Sequence, residues 1–148
     1  MLAGMPASGR RGHTGFVMSW GRPIRVVIVD DNPEFLDSAT RLLEHQGLSV
    51  VGVATTNTQA LQYVQEFQTD VALVDIELGE ESGFEVAEKL HREGGTVAAP
   101  VILISTHTEQ DFAEMIDTSP AIGFLSKSAL SSGAITEMLV RLAHSAPR

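Results

Sequence analysis

The 148-residue sequence has no cysteine, little aromatic content and few basic residues. Without cysteine, the chain can form neither disulfides nor a thiolate zinc site, and it has no thiol nucleophile. Its 10 lysines and arginines face 19 aspartates and glutamates, a formal charge of -9, so we expect no direct binding to nucleic acid or to an anionic membrane. No apolar run approaches the ~20 residues of a membrane-spanning helix. We expect a cytoplasmic protein, with which the lack of cysteine is compatible.

The N-terminal 22 residues differ in composition from the rest of the chain. They are rich in Gly, Ser and Arg, contain no acidic residue and show no helical or strand period, which predicts a disordered extension over 1–22. Met18 is a candidate natural start. We predict one domain over 23–145 and a short tail over 146–148. Without the three arginines of the extension, 7 basic and 19 acidic residues remain, and the formal charge becomes -12.

From Pro23 onward, short β-branched runs alternate with amphipathic segments, a pattern typical of βαβ units. It predicts the α/β class, with a doubly wound, five-stranded parallel sheet and helices on both faces. The apolar runs place strands at Ile24–Val29, Ser49–Ala54, Val71–Val74, Val101–Ile104 and Ile122–Leu125. A helix is predicted around Asp111 to Asp117. The first and last helices should bury two sets of apolar residues: Phe35, Leu36, Ala39, Leu42 and Leu43 in the first, and Ile135, Met138, Leu139 and Leu142 in the last.

Polar residues follow four of these strands. Asp30 and Asp31 follow the first strand, Asp75 the third, Ser105 the fourth and Lys127 the fifth. Open α/β sheets bind ligands beyond the carboxyl ends of their strands, and the strand order 2-1-3-4-5 brings these side chains to one edge. Three crowded carboxylates favour a divalent cation, of which Mg²⁺ is the natural candidate. A carboxylate beside it can attack phosphorus, while Lys127 neutralises phosphoryl charge and Ser105 donates to a phosphoryl oxygen.

Each of these residues also has a plainer interpretation. Asp30 and Asp31 precede a helix, whose N-terminal dipole favours carboxylates. Taken alone, Lys127 is a solvated lysine, Ser105 a strand-end hydroxyl and Phe124 a core aromatic residue. The acids and the lysine in register favour the site over these interpretations.

Four motifs occur in order along the chain: VVIVDD at 26–31, LVDIELGEESG at 73–83, PVILIS at 100–105 and GFLSKS at 123–128. With them, the sequence resembles the receiver domain of bacterial two-component response regulators from Ile24 to about Ala143. The resemblance implies a flavodoxin-like (βα)5 fold with strand order 2-1-3-4-5. It also implies a phosphoprotein of a phosphorelay, whose acceptor receives its phosphoryl group from a sensor histidine kinase or a phosphotransfer protein.

The same resemblance assigns roles to individual residues. Asp75 is the phosphoacceptor and a ligand of Mg²⁺ or Mn²⁺. Asp31 ligates the ion directly, Asp30 acts through water, and the backbone carbonyl of Glu77 completes the set. Ser105 and Phe124 form a switch that alters the surface around helix four, strand five and helix five. Thr106 and His107 lie on the rim, and Glu77 and His107 occupy positions that tune phosphoryl lifetime.

The chain departs from the family pattern at several positions. Gly79 replaces the usual proline, Thr106 replaces a very small residue, and Phe124 replaces the commoner tyrosine. Ser128 replaces a proline, as is frequent in receivers of the NarL/LuxR class, which are attached to DNA-binding domains.

Two functional classes are compatible with these residues. The first is a signalling module that catalyses nothing beyond its own phosphorylation and dephosphorylation, with a homodimer formed on phosphorylation left open. The second is a Mg²⁺-dependent phosphatase with an aspartate nucleophile, which would need a second acid that the sequence lacks. Few residues follow the last predicted helix, too few for a helix-turn-helix output domain of ~60 residues. A stand-alone receiver and an excised part of a transcriptional regulator therefore both remain open.

Overall fold

A computed structural model describes residues 22–93 and 99–145 of the chain. The predicted extension, apart from Arg22, and the predicted tail lie outside the described residues. Arg22 itself forms an ion pair with Asp70, at 2.9 Å between Nη1 and Oδ2. Within the described ranges, every helix is too short or too polar to cross a membrane.

The predicted α/β class and parallel sheet are confirmed. Five parallel strands lie in the order β2-β1-β3-β4-β5, and each begins and ends within one residue of its predicted position. The strands are β1 (Arg25–Val29), β2 (Ser49–Ala54), β3 (Val71–Asp75), β4 (Val101–Ser105) and β5 (Gly123–Ser126).

Within the described residues, five α-helices connect and follow the strands: α1 (Pro33–His45), α2 (Asn57–Glu66), α3 (Gly83–Glu93), α4 (Ala113–Thr118) and α5 (Ser132–Ser145). The helix predicted around Asp111 to Asp117 is divided into a 3₁₀ helix, Glu109–Phe112, and α4. A second 3₁₀ helix, Lys127–Ala129, follows β5. The segment between β3 and α3 forms a small antiparallel hairpin, Glu77–Leu78 with Glu81–Ser82, where the sequence pattern predicts only a loop.

The sheet separates two hydrophobic cores because successive side chains of a strand point to opposite faces. Ile28, Leu73 and Ile104 belong to one core, and Val29, Val74 and Leu103 belong to the other. The prediction of burial is wrong for two residues, since Leu42 is 38% exposed and Leu142 is 37% exposed. Both lie at the margin of an apolar stripe, where a 3.6-residue period still groups them with buried neighbours.

Candidate functional site

Two carboxylates are buried at the carboxyl edge of the sheet. Asp30 follows β1 and is fully buried, and Asp75 ends β3 and is 6% exposed. They are neighbours because Val29 pairs with Val74 in parallel register. Buried charges are retained in proteins where they are paired or where they coordinate metals, so this edge of the sheet requires a compensating cation.

Lys127 supplies part of that compensation. Its Nζ lies 2.6 Å from Asp30 Oδ2 and 3.3 Å from Asp75 Oδ2. The ammonium also lies 4.3 Å from the centre of the Phe35 ring. Lys127 begins the 3₁₀ helix directly after β5, so the predicted meeting of Asp30, Asp75 and Lys127 is confirmed in the structure.

Asp31 joins the two buried acids from the loop before α1. One carboxylate oxygen from each of Asp30, Asp31 and Asp75 lies within 4.8 Å of the others, although Asp31 is exposed. Asn32 fixes this loop. Its side chain caps α1 by accepting from the backbone amides of Glu34 and Phe35, and its backbone amide donates to Asp30 Oδ1 at 2.9 Å. Asn32 therefore joins the start of α1 to the buried acid Asp30.

The donor set fits a hard divalent cation. Three carboxylates converge, one of them solvent-accessible, and such all-oxygen sets suit Mg²⁺ and Mn²⁺. Asp30 Oδ2 is buried and has no aligned hydrogen bond, although the Lys127 ammonium is close to it. An acceptor in that state retains a lone pair for a cation or for water bound to it.

Burial and the neighbouring Asp30 charge raise the pKa of Asp75 from 3.8 to about 6. The Glu77 amide, which donates to Asp75 Oδ1 at 3.1 Å, and Lys127 oppose the rise. Burial tends to lower the pKa of Lys127, but its contacts with Asp30 and Asp75 outweigh burial and raise it. At neutral pH the site therefore holds an ionised Asp75 carboxylate beside the Lys127 ammonium.

Two glycines allow the loop after β3 to fold closely around these acids. A Cβ at Gly83 would lie 2.0 Å from the backbone oxygen of Asp75, so this position excludes a side chain. Gly79 has a φ of +59°, which favours glycine, and a Cβ there would lie 2.9 Å from Asp31 Oδ2. The substitution of proline by glycine therefore lies directly beside an acid of the site.

Comparison with known proteins agrees with this geometry. The family model described as "Response regulator receiver domain" matches residues 26–139. The chain belongs to the response regulator receiver family. The flavodoxin-like topology is shared with a solved receiver domain of the putative response regulator NarL from Mycobacterium tuberculosis, at a TM-score of 0.69 and 28% identity, over 84% of this chain and 99% of that one.

Curated relatives carry the receiver as one part of a longer chain. Response regulator UvrY from Escherichia coli is 31% identical over 107 residues, which are 72% of this chain and 48% of UvrY. A protein-glutamate methylesterase/protein-glutamine glutaminase from Symbiobacterium thermophilum is 34% identical over 116 residues, 78% of this chain and 31% of the relative. The chain thus spans about half or less of these relatives, some of which have enzymatic activities.

The remaining predicted residues of the receiver surround the acids at different depths. Ser105 is buried at the end of β4, and its Oγ accepts from the His107 amide at 2.9 Å. His107 Nδ1 lies 3.3 Å from Glu77 Oε1 on the exposed rim. Thr106, which lies between Ser105 and His107 in sequence, is also exposed.

Phe124 is half-buried against the core that contains Leu103, its partner in β4. Since Ser105 and Ser126 are partners as well, alternation places Ser105 and Phe124 on the same face of the sheet.

Sequence reasoning assigned Phe35 to the core and missed its contact with Lys127. The two residues are 92 positions apart in sequence, and an apolar residue in the first turn of a helix gives no sign of such a contact. The hairpin was missed as well, although Gly79 and Gly83 are turn signals that could have indicated it.

Proposed function

We propose that this chain is a phosphoryl-accepting receiver of a two-component phosphorelay, with Asp75 as the acceptor. The observation that supports it best is the Asp75 carboxylate itself, buried beside Asp30 and held against the Lys127 ammonium in a chain that belongs to the receiver family. The proposed donor is a phosphohistidine of a sensor kinase or a phosphotransfer protein. In the transfer, the P–N bond of the donor breaks and a P–O bond to Asp75 forms.

Different side chains of the site would bind the metal ion, stabilise the charge on the phosphoryl group and attack phosphorus. Asp31, Asp75 and the Glu77 carbonyl would hold Mg²⁺ or Mn²⁺, and Asp30 would act on it through water. When bound, the ion neutralises developing charge on the phosphoryl oxygens. Lys127, whose Nζ lies 3.3 Å from Asp75 Oδ2, supplies a second positive charge, and the Ser105 hydroxyl donates to a phosphoryl oxygen. Since its pKa is about 6, Asp75 is mostly ionised at neutral pH and is a competent nucleophile.

The output surface is proposed to be α4, β5 and α5. Ser105 and Phe124 share a face of the sheet, so a Ser105 hydroxyl drawn toward phosphate leaves space into which the ring can turn. Exposed apolar residues lie on the adjacent helices, with Met115 of α4 51% exposed and Val140 of α5 47% exposed. This surface would bind a second copy of the chain or an output partner. The output partner could be a DNA-binding domain, of which this chain would be the receiver part. A cytoplasmic location is also part of it, because kinases draw the phosphoryl group from ATP.

The proposal is tested by incubating the chain with a small phosphodonor and Mg²⁺ and measuring its intact mass. We expect the addition of one phosphoryl group that is labile to acid and base, and no addition in Asp75→Asn. Asp37→Asn is the matched control, because Asp37 lies on the exposed face of α1, where it pairs with Arg41, and this variant should still be labelled.

Two outcomes would contradict the proposal: equal labelling of Asp75→Asn, or sustained turnover of an external phosphomonoester. The second outcome would revive the phosphatase alternative. Size-exclusion chromatography before and after labelling tests whether phosphorylation produces a dimer.

A further inference from the structure

The position of Phe35 in the sequence does not predict a functional role for it. It is in the first turn of α1, half-buried, and it packs partly against the core beneath that helix. Its ring nevertheless faces the Lys127 ammonium, with 4.3 Å between Nζ and the ring centre. This distance is within the range in which a cation is attracted to the negative face of an aromatic ring.

We propose that Phe35 is a positioning residue that holds the Lys127 ammonium at the place where it meets a phosphoryl group on Asp75. This inference rests on the proposed function. Phe35 itself touches neither the acids nor the phosphoryl group in this scheme, and it acts through Lys127.

The need for such a residue follows from the chemistry of the other Lys127 partners. Asp30 Oδ2 and Asp75 Oδ2 hold Nζ in the unphosphorylated site. Phosphorylation converts Asp75 into an acyl phosphate, and a divalent cation competes for Asp30. Both carboxylate contacts therefore weaken in the state in which the lysine has to act.

The ring carries no charge and takes no part in either change. It can therefore hold the ammonium equally well before and after transfer. Lysine also has a long, flexible side chain, whose ordering costs rotamer entropy, and a ring that covers one side of it reduces the alternatives open to Nζ. Side-chain exposure of 13% at Lys127 agrees with a restricted ammonium.

The first measurement is the affinity for beryllofluoride, a phosphoryl analogue, in the presence of Mg²⁺. We compare wild-type protein with Phe35→Leu, which keeps an apolar side chain but loses the ring, and with Phe35→Tyr, which keeps the ring. Phe67→Leu is the matched control, because Phe67 is a half-buried phenylalanine at the end of α2. From the strength of cation–π contacts, we expect Phe35→Leu to weaken beryllofluoride binding about threefold to tenfold.

The second measurement is direct and needs no phosphoryl analogue. The ε-methylene protons of Lys127 should resonate upfield in the metal-free wild-type protein and in Phe35→Tyr, because of the ring current, and should return to ordinary values in Phe35→Leu. If Phe35→Leu does not fold, Phe35→Met takes its place under the same criteria.

Weakened binding in Phe35→Leu, with wild-type binding in Phe35→Tyr and Phe67→Leu, supports the inference. Unchanged binding in Phe35→Leu, equal weakening in Phe35→Tyr, or an unshifted Lys127 methylene overturns it. If the wild-type protein binds neither Mg²⁺ nor beryllofluoride, the proposed function fails and this inference fails with it. If wild-type binding is normal and only the Phe35 effect is absent, the proposed function stands and the inference alone is lost.

Discussion

At the scale of single residues, the buried Asp75 carboxylate is ionised at neutral pH, and its ionisation lowers the free energy of unfolding. Its pKa of about 6 means that the folded protein binds this proton more tightly than the unfolded chain, where the value is near 3.8. The stabilising effect of protonation is therefore fully present below about pH 4 and is lost as the pH rises through 6. Above that pH, the metal-free receiver keeps a buried carboxylate ionised at the expense of folding free energy.

Asp75→Asn should for this reason stabilise the metal-free protein at pH 8. Each pKa unit corresponds to 1.36 kcal/mol, so we expect a gain of about 1–3 kcal/mol in the free energy of unfolding. The gain should shrink toward zero near pH 4, where the wild-type carboxyl is also neutral. Urea unfolding in a metal chelator at both pH values measures it. Asp117→Asn, at an exposed position of α4, should change stability little at either pH, and a pH-independent gain in Asp75→Asn would contradict the assignment.

Gly83 illustrates a steric requirement at the same scale. A Cβ at this position would overlap the Asp75 carbonyl oxygen at 2.0 Å and approach the Ile76 Cα at 2.7 Å, both of them backbone atoms. Gly83→Ala should consequently cost about 3 kcal/mol or more, because the end of β3 has to move. Thermal or urea unfolding tests this prediction.

The matched control is Gly133→Ala in the first turn of α5. The nearest atom to a Cβ there is Ser131 Oγ, at 4.0 Å. This substitution should stabilise the protein by about 0.5–1 kcal/mol, because alanine restricts the unfolded chain more than glycine does. Equal effects of the two substitutions would show that the close approach at Gly83 is tolerated.

At the scale of elements, the hairpin between β3 and α3 connects Asp75 with α2. Glu81 Oε1 accepts from the Asn57 amide at 2.8 Å, at the start of α2, whose own first turn has no acidic residue. On the same hairpin, Glu77 lies against Asp75 through its amide and against His107 through its side chain. The acidic loop, which composition alone would treat as solvated, is therefore a structural connection across the edge of the sheet.

Removal of this connection should loosen the first turn of α2. A carboxylate at a helix N-terminus satisfies a free amide and interacts with the helix dipole. We expect Glu81→Ala to destabilise the protein by about 1 kcal/mol, and Glu81→Gln, which keeps an acceptor, to cost less. Amide hydrogen exchange in the first turn of α2 should rise in the same order. Glu80→Ala, at the exposed tip of the hairpin, is the control, and equal exchange in both alanine variants would refute the capping role.

The success of sequence reasoning differs between kinds of element. The strands were predicted to within one residue because apolar runs between turn signals define them locally, as Val101–Ser105 illustrates. The hairpin was not predicted although Gly79 and Gly83 give local turn signals, because its two strands are only two residues long each. The division of the segment before β5 into a 3₁₀ helix and α4 was not predicted either. The acids and Lys127 were predictable because each directly follows a strand whose place in the sheet was inferred. The Phe35 ring was not, because its contact depends on the rotation of α1 relative to the start of the second 3₁₀ helix.

At the scale of the whole molecule, charge imbalance makes the receiver sensitive to cations of any kind. The chain carries a formal charge of -9, and self-repulsion of that size is relieved by salt in general. A stabilising effect of MgCl₂ therefore shows a specific site only if it exceeds that of NaCl at the same ionic strength.

We expect that excess to be present and to depend on pH. A ligand that binds only the folded state stabilises it by RT ln(1 + [L]/Kd), about 2.7 kcal/mol at a hundredfold excess over Kd. Since protons compete with the cation for Asp75, whose pKa is about 6, the excess should be larger at pH 8 than at pH 5. Thermal unfolding in MgCl₂ and in NaCl at both pH values measures it. Asp31→Asn should abolish the excess at pH 8, because it removes one of the three carboxylates of the proposed metal site. It should leave the response to NaCl intact, because Asp31 is exposed and its substitution does not disturb the core. An excess that persists in Asp31→Asn would place the cation elsewhere on this acidic protein and would remove the metal from the proposed mechanism.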